Sequence, residues 1–332
     1  MATRIQGLIL GLGKAKQSAF GTASASYIRF RKLDNDITSA LFNAESDAGE
    51  IGKGDEFAGV VYPVSKDFST RIEKYGTAEF TTWAWAYGLS GVTELAGTYT
   101  LTPLDPATTL DVKTFSTVAQ LAEGGGFAVN NLYYDCAVEE VNFAFNYGPG
   151  RQSTKCTASI VGSGKVLTPS AVTVPTLTTE HHMLSGSMSL TINGVDYIAA
   201  KSMLSGNIGW KNNLMLDQGY FPGSGTQDGA SIRGRMEYGL RQITMDFEAR
   251  LASTSTEYAT LKALTSGAAS VSVQFDSTHT VTWTFAKVQF RAVTNSDVNG
   301  LATVKVVVDP ISDGTNPVVS VSAQCGITGI AQ

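Results

Sequence analysis

The chain runs twice through one pattern, and that duplication constrains its fold more than any single motif does. "SKDFSTRIEKYGTAEFTTWAWAYGLSG" (Ser65–Gly91) and "RQITMDFEARLASTSTEYATLKALTSG" (Arg241–Gly267) both read as an alternating strand, a polar turn and a short helix. In the strands, Phe68, Thr70 and Ile72 stand against Phe247, Ala249 and Leu251, with Asp67 and Asp246 just ahead. A period of two puts one face in a core and leaves the other polar. In the helices, Glu79, Phe80 and Thr82 match Glu257, Tyr258 and Thr260, and small polar residues suited to capping precede each helix.

Further along, Val141 and Phe143 stand against Val288 and Phe290, and Cys156, Ala158 and Ile160 against Val304, Val306 and Val308, a β-hairpin pattern in each copy. The spacing between copies falls from about 178 residues at the helices to about 147 at the hairpins, so the first copy carries roughly thirty extra residues, which a loop accommodates cheaply. "LTPLDPATTLDVKTFSTVAQLAEGGGF" is read as that insertion, with a small helix expected around Phe115–Leu121. Upstream, "SYIRFRKLDNDI" and "KSMLSGNIGWKNNL" each lead into a long polar, glycine-rich stretch, and loops of that length usually have a function. The layout predicted is an arm (1–24), a first domain (25–165, insertion about 92–135), a linker (166–190), a second domain (191–315) and a C-terminal arm (316–332).

The residue mix agrees with a mainly β chain. Charged residues are only 16%, with 34 glycines and 43% apolar residues. A surface so poor in charge suits a protein covered by copies of itself. A net charge of −5 and an absence of long basic runs argue against a nucleic-acid binder that neutralises phosphates. The apolar run at Leu8–Leu12 is too short for a signal-peptide core or a membrane span, so synthesis and assembly are expected in the cytoplasm.

Catalytic chemistry finds few candidates. "GLGK" (Gly11–Lys14) lacks the spacing of a phosphate loop. His181 and His182 are adjacent in a Ser/Thr-rich linker and read as solvated, and His279 with Asp276 has no nucleophile beside it. Glu139/Glu140 and Asp34/Asp36 read as surface charge. Cys136, Cys156 and Cys325 form no CxxC pair and read as buried small residues. No catalytic residue, cofactor site or metal ligand is assigned, and an enzyme is not expected.

Four stretches together resemble the major tail tube proteins of long-tailed bacteriophages with non-contractile tails. They are "LGLGKAKQSAFGTASASY", the strand and loop containing "ESDAGEIGKGDEFAG", "NIGWKNNLMLDQGYFPGSG", and the strand–helix order ending in "ITMDFEARLASTSTEYATLKAL". The resemblance implies two tandem tail-tube-like domains, each a β-sandwich or partly closed barrel with one short flanking helix and a long loop. In that family six such units make a ring around a channel, and rings stack into the tube through which DNA passes. Two units per chain imply a trimeric ring with pseudo-sixfold symmetry, a hexamer with one channel-lining copy per chain being the alternative.

The implied partners are the chain itself, the tape-measure protein, the tail terminator and distal tail or baseplate proteins. Double-stranded DNA passes without specific binding, no membrane is involved, and the implied location is the virion. Glu45, Asp47, Glu50, Lys53, Asp55, Asp217, Tyr220 and Phe221 are the implied inter-ring loop residues. Asp67, Glu73, Asp246 and Glu248 are candidates for the channel lining, although an outward orientation of the same strands is equally compatible with the sequence. On a helix Trp83 and Trp85 lie about 200° apart. Trp83 is therefore expected against its own sandwich, and Trp85 at a neighbouring domain or subunit. Another virion β-protein, such as a distal tail or decoration protein, is the alternative reading.

Overall fold

The computed structural model describes all residues except 1–4, 32–33, 47–60, 106–111, 124–125, 148–153, 168–176, 199–202, 217–225, 228, 252–255 and 299–300. The first half contains β1 (Ile5–Gly13), β2 (Tyr27–Ile28), β3 (Asp34–Ser46), β4 (Val61–Tyr75), α1 (Ala78–Leu89), β5 (Ser90–Leu95), β6 (Thr98–Pro103), β7 (Phe115–Glu123), β8 (Gly126–Asn146), β9 (Lys155–Gly162) and β10 (Val166–Leu167). The second contains β11 (Met188–Ile192), β12 (Val195–Asp196), β13 (Met203–Lys211), β14 (Thr226–Gln227), β15 (Ala230–Ser231), β16 (Gln242–Arg250), α2 (Glu257–Lys262), β17 (Ser266–Asp276), β18 (His279–Val298), β19 (Leu301–Pro310) and β20 (Ser320–Gln324). The protein is mainly β, of sandwich type, and its sheet is not closed into a barrel.

Both halves pair their strands in the same order. In the first, β3, β4, β9 and the second half of β8 lie side by side, and β2, β1, β7, the first half of β8 and β10 form another layer. In the second, β13, β16, β19 and the end of β18 repeat the first layer, and β12, β11, β17, the start of β18 and β20 repeat the other. One long strand per unit, β8 or β18, belongs to both layers.

A register shift fixes the residue equivalences. The β8–β9 ladder slips between Val138 and Glu140, and the β18–β19 ladder slips between Phe290 and Ala292. A bulge at the same place in each long strand bends it from one layer into the other. Val138 therefore corresponds to Phe290 and Val141 to Val293, which corrects the sequence match of Val141 with Val288. The match of Cys156, Ala158 and Ile160 with Val304, Val306 and Val308 holds in the ladders. Through these, Thr70 pairs as Met245 does and Ile72 as Phe247 does, four residues from the register read in the sequence. An even shift keeps every side chain on its own face, so alternation cannot detect it.

The insertion also differs from its sequence reading. The extra chain is the β5–β6 hairpin and the segment after it, and β6 pairs with β20 of the second unit. Phe115–Leu121 is not a helix. It lies in β7, between β1 and β8, and is buried from Phe115 through Gln120. Phe115, Val118 and Leu121 have helical spacing, but ladder bonds on both edges decide the conformation. The two terminal segments are not arms either. β1 contributes Leu10 and Leu12 to the core, and the C-terminal segment buries Val319, Val321, Ala323 and Ile330.

Helix α1 starts at Thr77, whose side chain accepts the Phe80 N–H, and ends at Ser90, which has a left-handed backbone. All twelve of its residues are buried, because the first unit covers one side and β6, β18 and β20 cover the other. An apolar surface all round is what a fully enclosed helix needs.

Candidate assembly surface

The two four-stranded layers are one sheet. Strand β13 of the second unit pairs antiparallel with β8 of the first, Ser205 opposite Asn146 through Lys211 opposite Glu140. The order across the chain is β3, β4, β9, β8, β13, β16, β19, β18. At the seam Gly206 lies opposite Phe145, and a Cβ on Gly206 would sit 2.2 Å from the phenylalanine ring. Glycine leaves the face open there, so the Phe145 ring lies across the backbone of the opposite strand. Asn212 strengthens the joint by donating to the carbonyls of Gly88 and Val138, both at 2.9 Å.

One face of this sheet is core and the other is open and polar. On β4, Phe68, Thr70, Ile72 and Lys74 are buried, whereas Ser69, Arg71 and Tyr75 are exposed. Asp67, Glu73, Asp246 and Glu248 all fall on the open face, so the structure brings the four lining candidates onto a single surface. That surface is charge-balanced. Lys155 donates to Glu73 at 2.9 Å, Lys305 lies 3.8 Å from Asp246, Arg233 lies 2.6 Å from Asp67, and Thr303 donates to Glu248 at 2.7 Å. The Lys155 hydrogen bond holds the Glu73 carboxyl below its ordinary range.

Among the described residues the outer edge of β3 and the outer edge of β18 beyond Phe290 have no strand beside them. These are the equivalents of the two edges that meet at the β8–β13 seam. Exposure of α2 follows the same logic. Tyr258 is 69% and Leu264 66% exposed, whereas Phe80 and Ala86, at the matching places on α1, are fully buried. Phe80 is covered by Phe30 and Trp83 of its own unit and Trp85 by Trp283 of the second, and among the described residues no second unit stands over α2.

Of the loop candidates, Glu45 lies within β3, opposite Tyr62, so it belongs to a two-stranded arm rather than to a loop. Asp47, Glu50, Lys53, Asp55, Asp217, Tyr220 and Phe221 lie outside the described residues. Trp85 is fully buried and meets Trp283 of the second unit, so it offers no surface to another chain. Trp83 packs on Phe30, Phe80, Tyr87 and Phe115 of the first unit, and its indole N–H donates to Gly13 O.

Of the two linker histidines, His182 is exposed as the sequence suggests and His181 is not placed as expected. His181 is not a solvated residue: its Nδ1 lies 2.6 Å from Oε1 of the buried Glu79, and its ring stacks on that of His279 with centroids 3.6 Å apart. Next to it the Glu180 carboxylate forms a buried ion pair with Lys74, whose ammonium also faces the rings of Phe30 and Phe80. The linker is thereby attached to both units.

No helix among the described residues is long and apolar enough to cross a membrane. No protein-family model matches the sequence, and comparison with curated proteins gives no match.

Proposed function

We propose that this chain is a self-assembling structural subunit of a phage tail tube, and that three copies close into a ring of six units. The observation that carries the reading is the β8–β13 seam. It is an edge-to-edge joint between two units of the same strand order, and among the described residues the equivalents of both of its edges have no strand beside them at the two ends of the sheet. A joint between unlike edges propagates, and it either closes into a ring or grows as a filament. Free edges that pair on assembly also cease to be an aggregation hazard.

Moving the seam's register to the free edges gives the contact between chains. Val298 of one copy lies opposite Asp34 of the next, Ser296 opposite Asp36, Asn295 opposite Ile37 and Thr294 opposite Thr38. The same joint places a neighbouring first unit over α2. Three copies of the eight-stranded sheet then line a channel with the open, charge-balanced face. A lining on which Lys155, Lys305 and Arg233 lie beside carboxylates, with Arg250 exposed among them, presents few unpaired cations to double-stranded DNA, which suits passage. Rings stacked on a tape-measure protein and ended by terminator and distal tail proteins would place the chain in the virion.

Electron microscopy of the purified protein at high concentration tests the reading. Rings or tubes with a central hole of DNA width are expected, and a protein that stays monomeric would contradict it.

A further inference from the structure

Three segments distant in sequence meet at Glu79, His181 and His279, whose donor atoms all lie within 4.8 Å of one another. We propose that these residues bind one divalent transition-metal ion of the zinc class and so clamp the two units and their linker together.

The segment that carries each donor is held by its own element, and the His181 and His279 rings, stacked with centroids 3.6 Å apart, turn about their side-chain torsions to aim both in-plane lone pairs at one ion. Glu79 lies in the first turn of α1, is 1% exposed, and accepts the His181 backbone N–H at 2.9 Å through Oε2. His181 is fixed by the Ala78 N–H, which donates to its carbonyl, and by Met183, whose N–H donates to Gly76 O. His279 stands at the tight turn between β17 and β18. There Asp276 Oδ1 accepts from the Thr278 N–H at 2.7 Å and lies 2.9 Å from His279 Nδ1.

The chemistry selects the ion. Two imidazoles and one carboxylate suit zinc, cobalt, nickel or copper, whereas calcium and magnesium require oxygen ligands throughout. Three protein ligands leave a fourth tetrahedral position for water. Asp276 supplies what a ligating histidine needs behind it: a carboxylate on Nδ1 that orients the ring and leaves the Nε2 lone pair to the metal. Phe275, with its ring 5.2 Å from that of His181, forms an apolar wall. The proposal does not depend on the tail-tube reading, because all its ligands come from one chain.

The test is calorimetric titration of the EDTA-treated full chain with Zn²⁺, together with the visible absorption of the Co²⁺-loaded protein. One ion per chain and the d–d bands of a tetrahedral cobalt site are expected. His181→Ala and His279→Gln should each weaken zinc binding at least tenfold. Asp276→Asn should weaken it about 10–100-fold, as loss of an orienting partner does, and His182→Ala should leave it unchanged. Absence of stoichiometric zinc, or of the cobalt bands in the unmutated protein, would overturn the proposal even if a variant failed to fold. Binding unaffected by both His181→Ala and His279→Gln would also overturn it.

Discussion

Trp85 of α1 meets Trp283 of β18 edge to face, with ring centroids 5.6 Å apart and planes at 70°, and neither side chain is exposed. Phe143 packs against the same indole at a tilt of 35°, with centroids 4.7 Å apart. Three aromatic rings from the two units thus form one cluster, and the units share a core. Trp283→Ala should therefore destabilise the whole chain by about 3–5 kcal/mol, the usual cost of emptying a buried aromatic site. Urea unfolding followed by tryptophan fluorescence and by far-UV circular dichroism should show the two signals moving together. A loss below about 1 kcal/mol, or separate transitions for the two halves, would refute a shared core.

At the seam, Gly206→Ala should cost about 1–3 kcal/mol by driving a methyl group into the Phe145 ring. In a Phe145→Ala background the same substitution should cost clearly less, because the clashing ring is gone. Equal costs in both backgrounds would place the strain elsewhere.

The three thiols should be inert in the folded protein. Burial pushes Cys136 and Cys156 up to about 12 and Cys325 up to about 11, and the thiolate is the reactive form. Iodoacetamide at pH 8 should label none of them until denaturant is added, as mass spectrometry would report. Rapid labelling of Cys156 in native buffer would contradict its placement between β4 and β8.

The Glu73–Lys155 pair predicts a small pH dependence. Its depressed carboxyl contributes stability above the ordinary glutamate value of about 4.3 and loses it as the pH falls through the lower, folded-state value. The pair is partly exposed, so Glu73→Gln should cost less than about 1 kcal/mol at pH 7. The cost should vanish in acid strong enough to protonate the carboxyl in both states. A cost that persists there would assign the effect to something other than charge.

How much of this was legible depended on how local each signal was. The duplication could be read because strand alternation and helix capping are written in neighbouring residues, and Cys156, Ala158 and Ile160 found their partners because no bulge interrupts β9 or β19. The strand match of Phe68 with Phe247 missed by four residues because period two looks the same after any even shift. Val141 was misplaced because a bulge and a shorter turn compensate each other along the hairpin. The meeting of Glu79 with His181, 102 residues apart, has no local signal, since only the path of the linker brings them together. The free edges of β3 and β18 were likewise hidden, because an edge is defined by what does not pair with it.

Ring closure is tested most directly by paired cysteines at the two free edges. Asn295→Cys with Ile37→Cys, and Ser296→Cys with Asp36→Cys, place cysteines at neighbouring cross-strand positions. One of the two pairs must be of the close, non-hydrogen-bonded kind. Under oxidation of the assembled protein, denaturing electrophoresis should show a ladder of cross-linked chains that stops at three. The one-residue-shifted pair Asn295→Cys with Asp36→Cys should give none. A ladder that runs past three chains, or no species beyond the monomer with either matched pair, would contradict the three-chain ring.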